Sequence, residues 1–186
     1  MPLHLALIHY PIVNKEGAAV VSAVTNFDIH DIARAARTYG VARYFIVTPI
    51  EMQRDFVRRI MAHWLEGAGA DYNPTRGDAL AGTEVAADLA QVGRAIEREA
   101  GAAPFWVATS ARATRPVMTI EELREKITAD APPVCLIFGT GHGLHPEVLE
   151  LADAVLEPIH GPTEFNHLSV RSAVSIYLDR LLAPRD

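Results

Sequence analysis

The sequence predicts an α/β protein with a mainly parallel sheet and helices on both faces. Short apolar runs of strand length alternate with longer segments of helical periodicity along the whole chain. A helix that connects two parallel strands must run antiparallel to both, so this alternation favours crossover units. No repeat, linker or low-complexity tract divides the 186 residues. We therefore expect a single domain that comprises residues 1–186.

The first elements are a strand, a helix, a second strand and a second helix. Residues 3–12 are an apolar run, and residues 25–28 offer cap residues ahead of a helix at 29–40. Gly40 ends that helix, a strand follows at 41–49, and an amphipathic helix follows at 51–67. The apolar residues expected to face the core are, in the first helix, Ile29, Ile32, Ala33 and Ala36, and in the second, Phe56, Ile60, Met61 and Trp64.

The remaining elements continue the alternation. Residues 69–78 are polar and contain proline and glycine, so they predict a loop. Thr119 and Glu122 form a capping pattern, and Val170, Val174, Tyr177 or Leu178, and Leu181 repeat at helical spacing in the last helix. Further strands are predicted at residues 82–87, 104–111, 133–138 and 152–159, and further helices at 88–101, 119–128, 144–152 and 166–183.

Composition points to a soluble protein of the cytoplasm. Hydrophobic residues make up 49% of the chain, but no apolar run reaches the ~18 residues that a membrane span requires. The N-terminus has no basic residue ahead of its apolar run, which Pro11 interrupts, so it is a poor signal peptide. The one cysteine, Cys135, lies in an apolar run and is expected to be a buried, reduced thiol.

Three predicted strands end in loops suited to a ligand. The loops begin at Thr109, at Gly139 and at Pro158, and the second of them reads Gly-Thr-Gly-His-Gly. In parallel sheets, ligands bind beyond the carboxyl ends of the strands, where glycine allows the backbone to approach closely. Glycines that only form tight turns would explain any one of these loops, but three neighbouring loops together favour a small-molecule site.

Two other kinds of site compete for the same residues. The glycine loop and Glu157, about 20 residues on, resemble a dinucleotide fingerprint, but the third glycine would fall at Leu144 and the motif lies near the end of the chain. Four histidines lie in the same region, but their spacing does not match a zinc site, and loop histidines usually cap or hydrogen-bond. The four histidines are His142, His145, His160 and His167. We therefore predict no bound metal ion.

The segments 138–149, 152–161 and 165–181 strongly resemble the three C-terminal motifs of SPOUT-class, or α/β-knot, RNA methyltransferases. Residues 25–49 look like the first motif of the SpoU-type ribose methyltransferases. This resemblance implies a C-terminal deep trefoil knot at about residues 104–183, a homodimer, and S-adenosylmethionine as the cofactor. The cofactor-binding residues that it implies are Thr109, Ser110, Ala111, Gly139, Thr140, Gly141, Gly143, Leu144, Pro158, Ile159, Gly161, Asn166, His167, Leu168 and Ser169.

The resemblance also implies a reaction on tRNA or rRNA. A ribose 2′-hydroxyl is a poor nucleophile, and an arginine that pins a phosphate beside it assists its attack. Arg34 matches the SpoU-type arginine, although an ion pair with Asp31 or Asp28 is an alternative role, and Asn26 lies two residues too far from it for a clean match. A first alternative is methylation of a base nitrogen, of the guanine N1 type, with Glu164 as the proton acceptor. A second alternative is that the chain binds the cofactor without catalysis and acts as a dimerisation or RNA-scaffold module.

The net charge of −6 and the presence of only two lysines argue against a general nucleic-acid coat. RNA binding therefore requires either a local arginine patch, assembled across a dimer, or a partner that carries the RNA. The arginines available for such a patch are Arg34, Arg37, Arg54, Arg58, Arg59, Arg112 and Arg115.

Overall fold

The computed structural model of the chain describes residues 2–112, 117–128 and 132–184. Strands and helices alternate through these residues, apart from three successive strands at the start and three successive helices between β4 and β5. The strands are β1 (Leu3–Ile8), β2 (Ile12–Val13), β3 (Ala19–Val20), β4 (Arg43–Val47), β5 (Thr83–Ala86), β6 (Phe105–Thr109), β7 (Val134–Gly139) and β8 (Ala154–Leu156). The helices are α1 (Asn26–Thr38), α2 (Glu51–Leu65), α3 (Ala68–Tyr72), α4 (Pro74–Leu80), α5 (Leu89–Ala100), α6 (Ile120–Thr128), α7 (Pro146–Leu151) and α8 (Val170–Leu182).

Six strands form one sheet in the order β5-β4-β1-β7-β6-β8, and every pairing in it is parallel. Strand β1 lies in the interior of the sheet, with Leu5 opposite Tyr44 of β4 on one side and Leu136 of β7 on the other. The short strands β2 and β3 pair antiparallel in a separate ribbon. The prediction of a mainly parallel sheet is confirmed.

Helices cover both faces of this sheet. Alternate residues of β1 point to opposite sides, as the pleat requires, and they enter two separate apolar clusters. Leu5 and Leu7 pack with α1, α4, α6 and α8, whereas Ala6 and Ile8 pack with α5 and α7. Cys135 is a free, fully buried thiol in the second cluster, and burial raises its pKa, in agreement with the expected structural role.

The predicted core stripes are confirmed in α1 and largely in α8. All four apolar residues expected in α1 are buried, and in α8 Val174, Tyr177, Leu178 and Leu181 are buried while Val170 is half-buried. In α2, however, the prediction for Phe56 is wrong, because Phe56 is 42% exposed and Val57 is fully buried instead. Helix α2 packs on α3, α4 and β5, and these contacts turn a different face of it inward.

The loop predicted at residues 69–78 is also wrong, because the chain forms α3 and α4 there. Asn73 caps α4 by accepting a hydrogen bond from the Arg76 amide (3.2 Å), and Pro74 occupies the first turn, where a missing N–H costs nothing. Leu80 is fully buried against the core. The proline and asparagine that predicted a loop therefore mark the start of a helix.

Several boundaries differ from the predicted ones. The strand predicted at residues 3–12 ends at Ile8, and its last residue, Ile12, is the first residue of β2. Helix α8 begins at Val170 rather than at residue 166, because Ser169 is its N-cap and accepts a hydrogen bond from the Ser172 amide (3.2 Å). None of the helices in the described ranges is both long enough and apolar enough to cross a membrane.

Candidate functional site

The loops that follow β6, β7 and β8 emerge from three adjacent strands at the carboxyl edge of the sheet. The Thr109 hydroxyl, at the end of β6, donates a hydrogen bond to the Ile137 carbonyl of β7 (2.9 Å). Directly after β8, the Glu157 amide donates a hydrogen bond to the carbonyl of Met118, which lies two residues before the start of α6. The three loops suspected from the sequence therefore meet at one edge, where parallel sheets bind their ligands.

The segment before α8 joins the same edge. The Asn166 side-chain amide donates to the Ala111 carbonyl (3.2 Å), and the Tyr177 hydroxyl donates to the Glu157 carbonyl (2.8 Å). Burial raises the pKa of Tyr177 to about 12, so this hydroxyl remains a neutral donor. These two bonds connect the last segment of the chain to the loops after β6 and β8.

The glycine loop, residues 139–144, has glycine at three positions where a larger residue would be strained or would clash. Gly141 and Gly143 have positive φ angles of 61° and 116°. A Cβ on Gly139 would lie 2.8 Å from the Leu144 amide, and one on Gly141 would lie 2.8 Å from the Ile12 side chain. The loop is consequently a specific tight conformation rather than a flexible linker.

The ribbon of β2 and β3 holds this loop from the other side, and sequence reasoning missed it. The Val13 amide donates to the Gly143 carbonyl (2.9 Å), and the His142 amide donates to the Val13 carbonyl (3.2 Å). A turn signal was present, since Asn14 accepts hydrogen bonds from two following amides and Gly17 has a φ of 81°. The strands were too short to be recognised as apolar runs.

The residues implied to bind the cofactor are distributed between surface and core. Leu144 and Ile159 are only 6% and 8% exposed, whereas Leu168 is 46% exposed. Ser110 and Ser169 make local hydrogen bonds that shape their own segments, whereas Asn166 bonds across to Ala111. Exposed or half-buried positions in the same set are Thr109, Ser110, Ala111, Gly139, Thr140, Gly141, Gly143, Pro158, Gly161, Asn166, His167, Leu168 and Ser169.

Exposed glycine backbone beside apolar side chains fits a flat, apolar ligand with polar edges. Nothing lies within 4 Å of where a Cβ on Gly143 or Gly161 would stand, so backbone at both positions borders open space. Leu168 supplies exposed apolar surface on the segment before α8, and the buried Ile159 lies on the segment after β8. An adenine ring needs such a narrow apolar slot with backbone donors and acceptors, and these residues fit that need.

The catalytic candidates on α1 lie on an exposed part of that helix. Thr25 and Asp28 form a reciprocal capping box at its start. Asn26 and Arg34 are exposed, and their eight-residue separation corresponds to about 12 Å along the helix axis. Glu164 is exposed in the segment before α8. Asn26 and Arg34 therefore occupy different levels of the helix.

The alternative role of Arg34 as a local ion-pair partner is wrong. Asp28 is occupied by the capping box, and the Asp31 carboxylate lies 3.6 Å from the guanidinium of Arg171 in α8. Within the ranges that the structure describes, no carboxylate lies within 4.0 Å of Arg34. Its charge is thus available to an anionic ligand.

The start of α8 packs beside the start of α1. The Arg171 guanidinium lies 5.0 Å from the centre of the Phe27 ring, in addition to its contact with Asp31. Phe27 is nevertheless 65% exposed. A shallow surface groove of about 740 Å³ lies here, lined by Phe27, Asp31, Ser169, Arg171, Ser172, Ser175 and Ile176.

The structure gives little support to the two competing kinds of site, a dinucleotide fingerprint and a zinc site. A Glu157 carboxylate oxygen accepts a hydrogen bond from the Ile120 amide at the start of α6 (2.9 Å), so it has a structural role. His145 is the N-cap of α7, as expected of a loop histidine, and His167 packs against the Phe165 ring. Among the described residues, no group of three or more histidine, cysteine, aspartate or glutamate side chains is arranged to hold a metal ion.

The arginine patch is smaller than the sequence predicts. Arg37 pairs with Asp78 (2.9 Å), Arg54 pairs with Glu51, and Arg58 pairs with Glu51 (3.0 Å) and Asp55 (2.7 Å). Arg34, Arg59 and Arg112 are exposed and form no ion pair within the described parts of the chain. Arg115 lies outside the described residues.

Comparison with known proteins agrees with this geometry. A family model described as SAM-dependent RNA methyltransferase matches residues 2–183. A protein of Oleidesulfovibrio alaskensis named tRNA (guanine-N(1)-)-methyltransferase is 43% identical over 180 residues, which are 97% of this chain but 42% of that protein. This chain therefore spans less than half the length of that relative.

Solved structures show the same fold. TrmJ from Z. mobilis superposes with a TM-score of 0.63 and 20% identity, and the match covers 100% of this chain and 70% of that one. The SpoU methyltransferase AviRb from Streptomyces viridochromogenes, solved with AdoMet, gives a TM-score of 0.58 and 16% identity over 97% of this chain and 57% of that one.

The parallel sheet and the loops at its carboxyl edge place the chain among the open α/β proteins, which bind ligands at that edge. More narrowly, the chain belongs to the S-adenosylmethionine-dependent RNA methyltransferase family. The resemblance drawn from the motifs is confirmed, and S-adenosylmethionine is the cofactor of this family.

Proposed function

We propose that this chain transfers a methyl group from S-adenosylmethionine to a ribose 2′-hydroxyl of tRNA or rRNA. The observation that carries the proposal is the meeting of the glycine loop with the loops after β6 and β8 and with the segment before α8. The membership of the family supplies the class of reaction.

The cofactor is proposed to bind in these loops. Backbone groups around Gly143 and Gly161 would contact the polar edges of adenine, and Ile159 and Leu168 would border its faces. When bound, S-adenosylmethionine supplies an electrophilic methyl group. The protein then has to align the acceptor and assist loss of its proton.

Arg34 is proposed to orient or activate the acceptor. It is exposed and has no carboxylate partner within the described residues, so its guanidinium can hold an RNA phosphate beside the attacking hydroxyl. Asn26, in the first turn of α1, is proposed to hydrogen-bond the same nucleotide from a different level of the helix.

A cluster of basic and aromatic side chains beside Arg34 supports RNA contact. The Arg76 guanidinium lies 4.3 Å from the centre of the Trp64 ring, and the His30 ring packs edge-on to Trp64 at 5.9 Å. Burial lowers the pKa of His30, and the charges of Arg76 and Arg34 lower it further against the opposing charge of Asp31, so both arginines lie near this ring. Phosphates and unstacked bases bind to such surfaces.

Base methylation is a second candidate, because the relative from Oleidesulfovibrio alaskensis is named a tRNA (guanine-N(1)-)-methyltransferase. A base nitrogen has to lose its proton to a carboxylate, and the exposed Glu164 beside Asn166 is the candidate acceptor. A third possibility is a cofactor-binding module without catalytic activity that dimerises or supports RNA.

The C-terminal trefoil knot, at about residues 104–183, and the homodimer also belong to this proposal, as does a cytoplasmic location. The hydrogen bond from Asn166 to Ala111 supports a close passage of the last segment across the loop after β6. The groove beside Phe27, with its exposed aromatic ring, supports a partner on the faces of α1 and α8.

The direct test is methyl transfer by the purified chain. Methyl-labelled S-adenosylmethionine would be incubated with unmodified tRNA and with rRNA, and the modified nucleoside would be identified by mass spectrometry. The expected product is a 2′-O-methyl nucleoside. A methylated base would favour the second candidate, and cofactor binding without transfer to either RNA would favour the non-catalytic module.

A further inference from the structure

A buried histidine, His9, is connected to the glycine loop through two hydroxyl groups. Its Nδ1 lies 2.8 Å from the Ser22 hydroxyl, and that hydroxyl lies 2.5 Å from the Thr140 hydroxyl. Thr140 in turn donates to the Ile8 carbonyl (3.3 Å). His9 follows the last residue of β1, Ser22 lies between β3 and α1, and Thr140 belongs to the glycine loop. Three separate segments are therefore joined in one chain of hydrogen bonds.

The chain has a preferred direction. Because Thr140 donates its one hydroxyl proton to the Ile8 carbonyl, it accepts the proton of Ser22, and Ser22 accepts the N–H of His9 Nδ1. This direction leaves His9 Nε2 as an unprotonated nitrogen, which agrees with its lack of any hydrogen-bond partner in its buried position. The opposite direction would bury an unsatisfied N–H, which costs more.

The surroundings keep His9 neutral and fixed. Its side chain is fully buried, and burial lowers its pKa to about 4, so the imidazole carries no charge at neutral pH. Its amide donates to the Val47 carbonyl of β4 (2.9 Å), and its carbonyl accepts from the Ser22 amide (2.9 Å). His9 is thus held in place by its backbone on both sides.

We propose that His9 and Ser22 are positioning residues that hold Thr140, and with it the glycine loop, in the conformation that binds S-adenosylmethionine. The ribbon of β2 and β3, which contacts Gly143 and Gly141, is part of the same support. The segment between β1 and α1 therefore belongs to the cofactor site although its side chains need not touch the cofactor. This inference rests on the proposed binding of the cofactor to the glycine loop.

The test compares cofactor binding by Ser22→Ala and Ser22→Thr, measured by calorimetry with S-adenosylmethionine. Ser22→Ala breaks the chain at its centre, so we expect a dissociation constant about tenfold higher, which corresponds to about 1.4 kcal/mol. Ser22→Thr retains the hydroxyl and should restore the wild-type value. In methyl transfer, Ser22→Ala should raise the KM for the cofactor more than it lowers kcat.

His4 offers a matched control, because it is also fully buried on β1 and both of its nitrogens lack partners, but it makes no bond to the glycine loop. His4→Gln should leave cofactor affinity unchanged, whereas His9→Gln should weaken it. The double variant His9→Gln with Ser22→Ala should bind no worse than the weaker single variant, because both changes break one chain.

Equal affinity of the wild type, Ser22→Ala and His9→Gln would overturn this inference, and so would full additivity in the double variant. Failure of the proposed cofactor site looks different. In that case the wild type itself would not bind S-adenosylmethionine, or a bulky change in the glycine loop, Gly141→Val, would leave its binding intact. Circular dichroism of each variant separates loss of affinity from loss of the fold.

Discussion

The Asn166 side-chain amide donates a hydrogen bond to the Ala111 carbonyl at 3.2 Å, and it thereby joins two segments that are 55 residues apart in the sequence. Neither segment belongs to a strand or a helix, so this side-chain contact helps to fix them relative to each other. Ala111 follows β6, and Asn166 precedes α8.

We predict that Asn166→Ala weakens S-adenosylmethionine binding by about five- to tenfold, because loss of one hydrogen bond frees two proposed walls of the cofactor site. Calorimetry measures the effect. Asn73→Ala is the control, since the Asn73 side chain caps α4 and accepts its hydrogen bonds from the neighbouring Thr75 and Arg76. It should lower the free energy of unfolding by about 1 kcal/mol without changing cofactor affinity.

Arg34→Ala should leave cofactor affinity intact and reduce methyl transfer by about a hundredfold or more, because the acceptor loses its proposed phosphate anchor. Arg37→Ala is the matched control on the same helix, one turn away, where the guanidinium already pairs with Asp78 at 2.9 Å. Its transfer rate should stay within about twofold of the wild type. Equal transfer by Arg34→Ala and the wild type would remove Arg34 from the mechanism.

Glu164→Gln distinguishes the two acceptor chemistries. Transfer to a ribose hydroxyl that depends on Arg34 should be unaffected, whereas transfer to a base nitrogen should fall by about a hundredfold, because the proton acceptor is lost. Glu147→Gln, an exposed glutamate in α7, serves as the control. The rate of label transfer to RNA is the measurement, and a large loss would exclude the ribose mechanism in its present form.

Phe27→Asp should weaken self-association if the homodimer uses the faces of α1 and α8. The ring is 65% exposed beside the groove, and a carboxylate there would be costly to bury in an interface. Sedimentation at several protein concentrations measures the change. Tyr72→Asp, at an 87% exposed ring in α3, should leave the association unchanged. A wild-type chain that sediments as a monomer would contradict the homodimer itself.

Acid should destabilise the fold through its buried histidines. Burial lowers the pKa of both His4 and His9 to about 4, from an unfolded value of 6.5. Protonation is therefore favoured in the unfolded chain below pH 6.5, and stability is lost as the pH falls from there towards 4. Each histidine should cost about 2 kcal/mol between pH 7 and pH 5.

Urea unfolding at pH 7 and pH 5 measures this loss. His4→Leu removes one of the two titrating groups, so about half of the decrease should disappear in this variant. The same decrease in His4→Leu and the wild type would show that other groups cause the loss of stability.

The periodic elements were predictable from the sequence because each depends on its own residues. The apolar run at 133–138 forms β7, and the stripe of Ile29, Ile32, Ala33 and Ala36 forms the buried face of α1. Errors arose where contacts with other elements decide the outcome. Asn73 and Pro74 start a helix because Leu80, at the end of that helix, is buried in the core. Val57 is buried in place of Phe56 because α3 and α4 pack against α2.

The sequence by itself determined the parallel α/β class, the three loops at strand ends and the family resemblance, because periodicity and motifs are local properties of the chain. Only the tertiary structure decided which partners those residues have. Asp31 pairs with Arg171 and leaves Arg34 without a carboxylate in the described residues. Ser22 bonds to His9 and also to Thr140, which lies 118 residues further along the sequence. Such pairings depend on how the elements pack, and no local pattern encodes them.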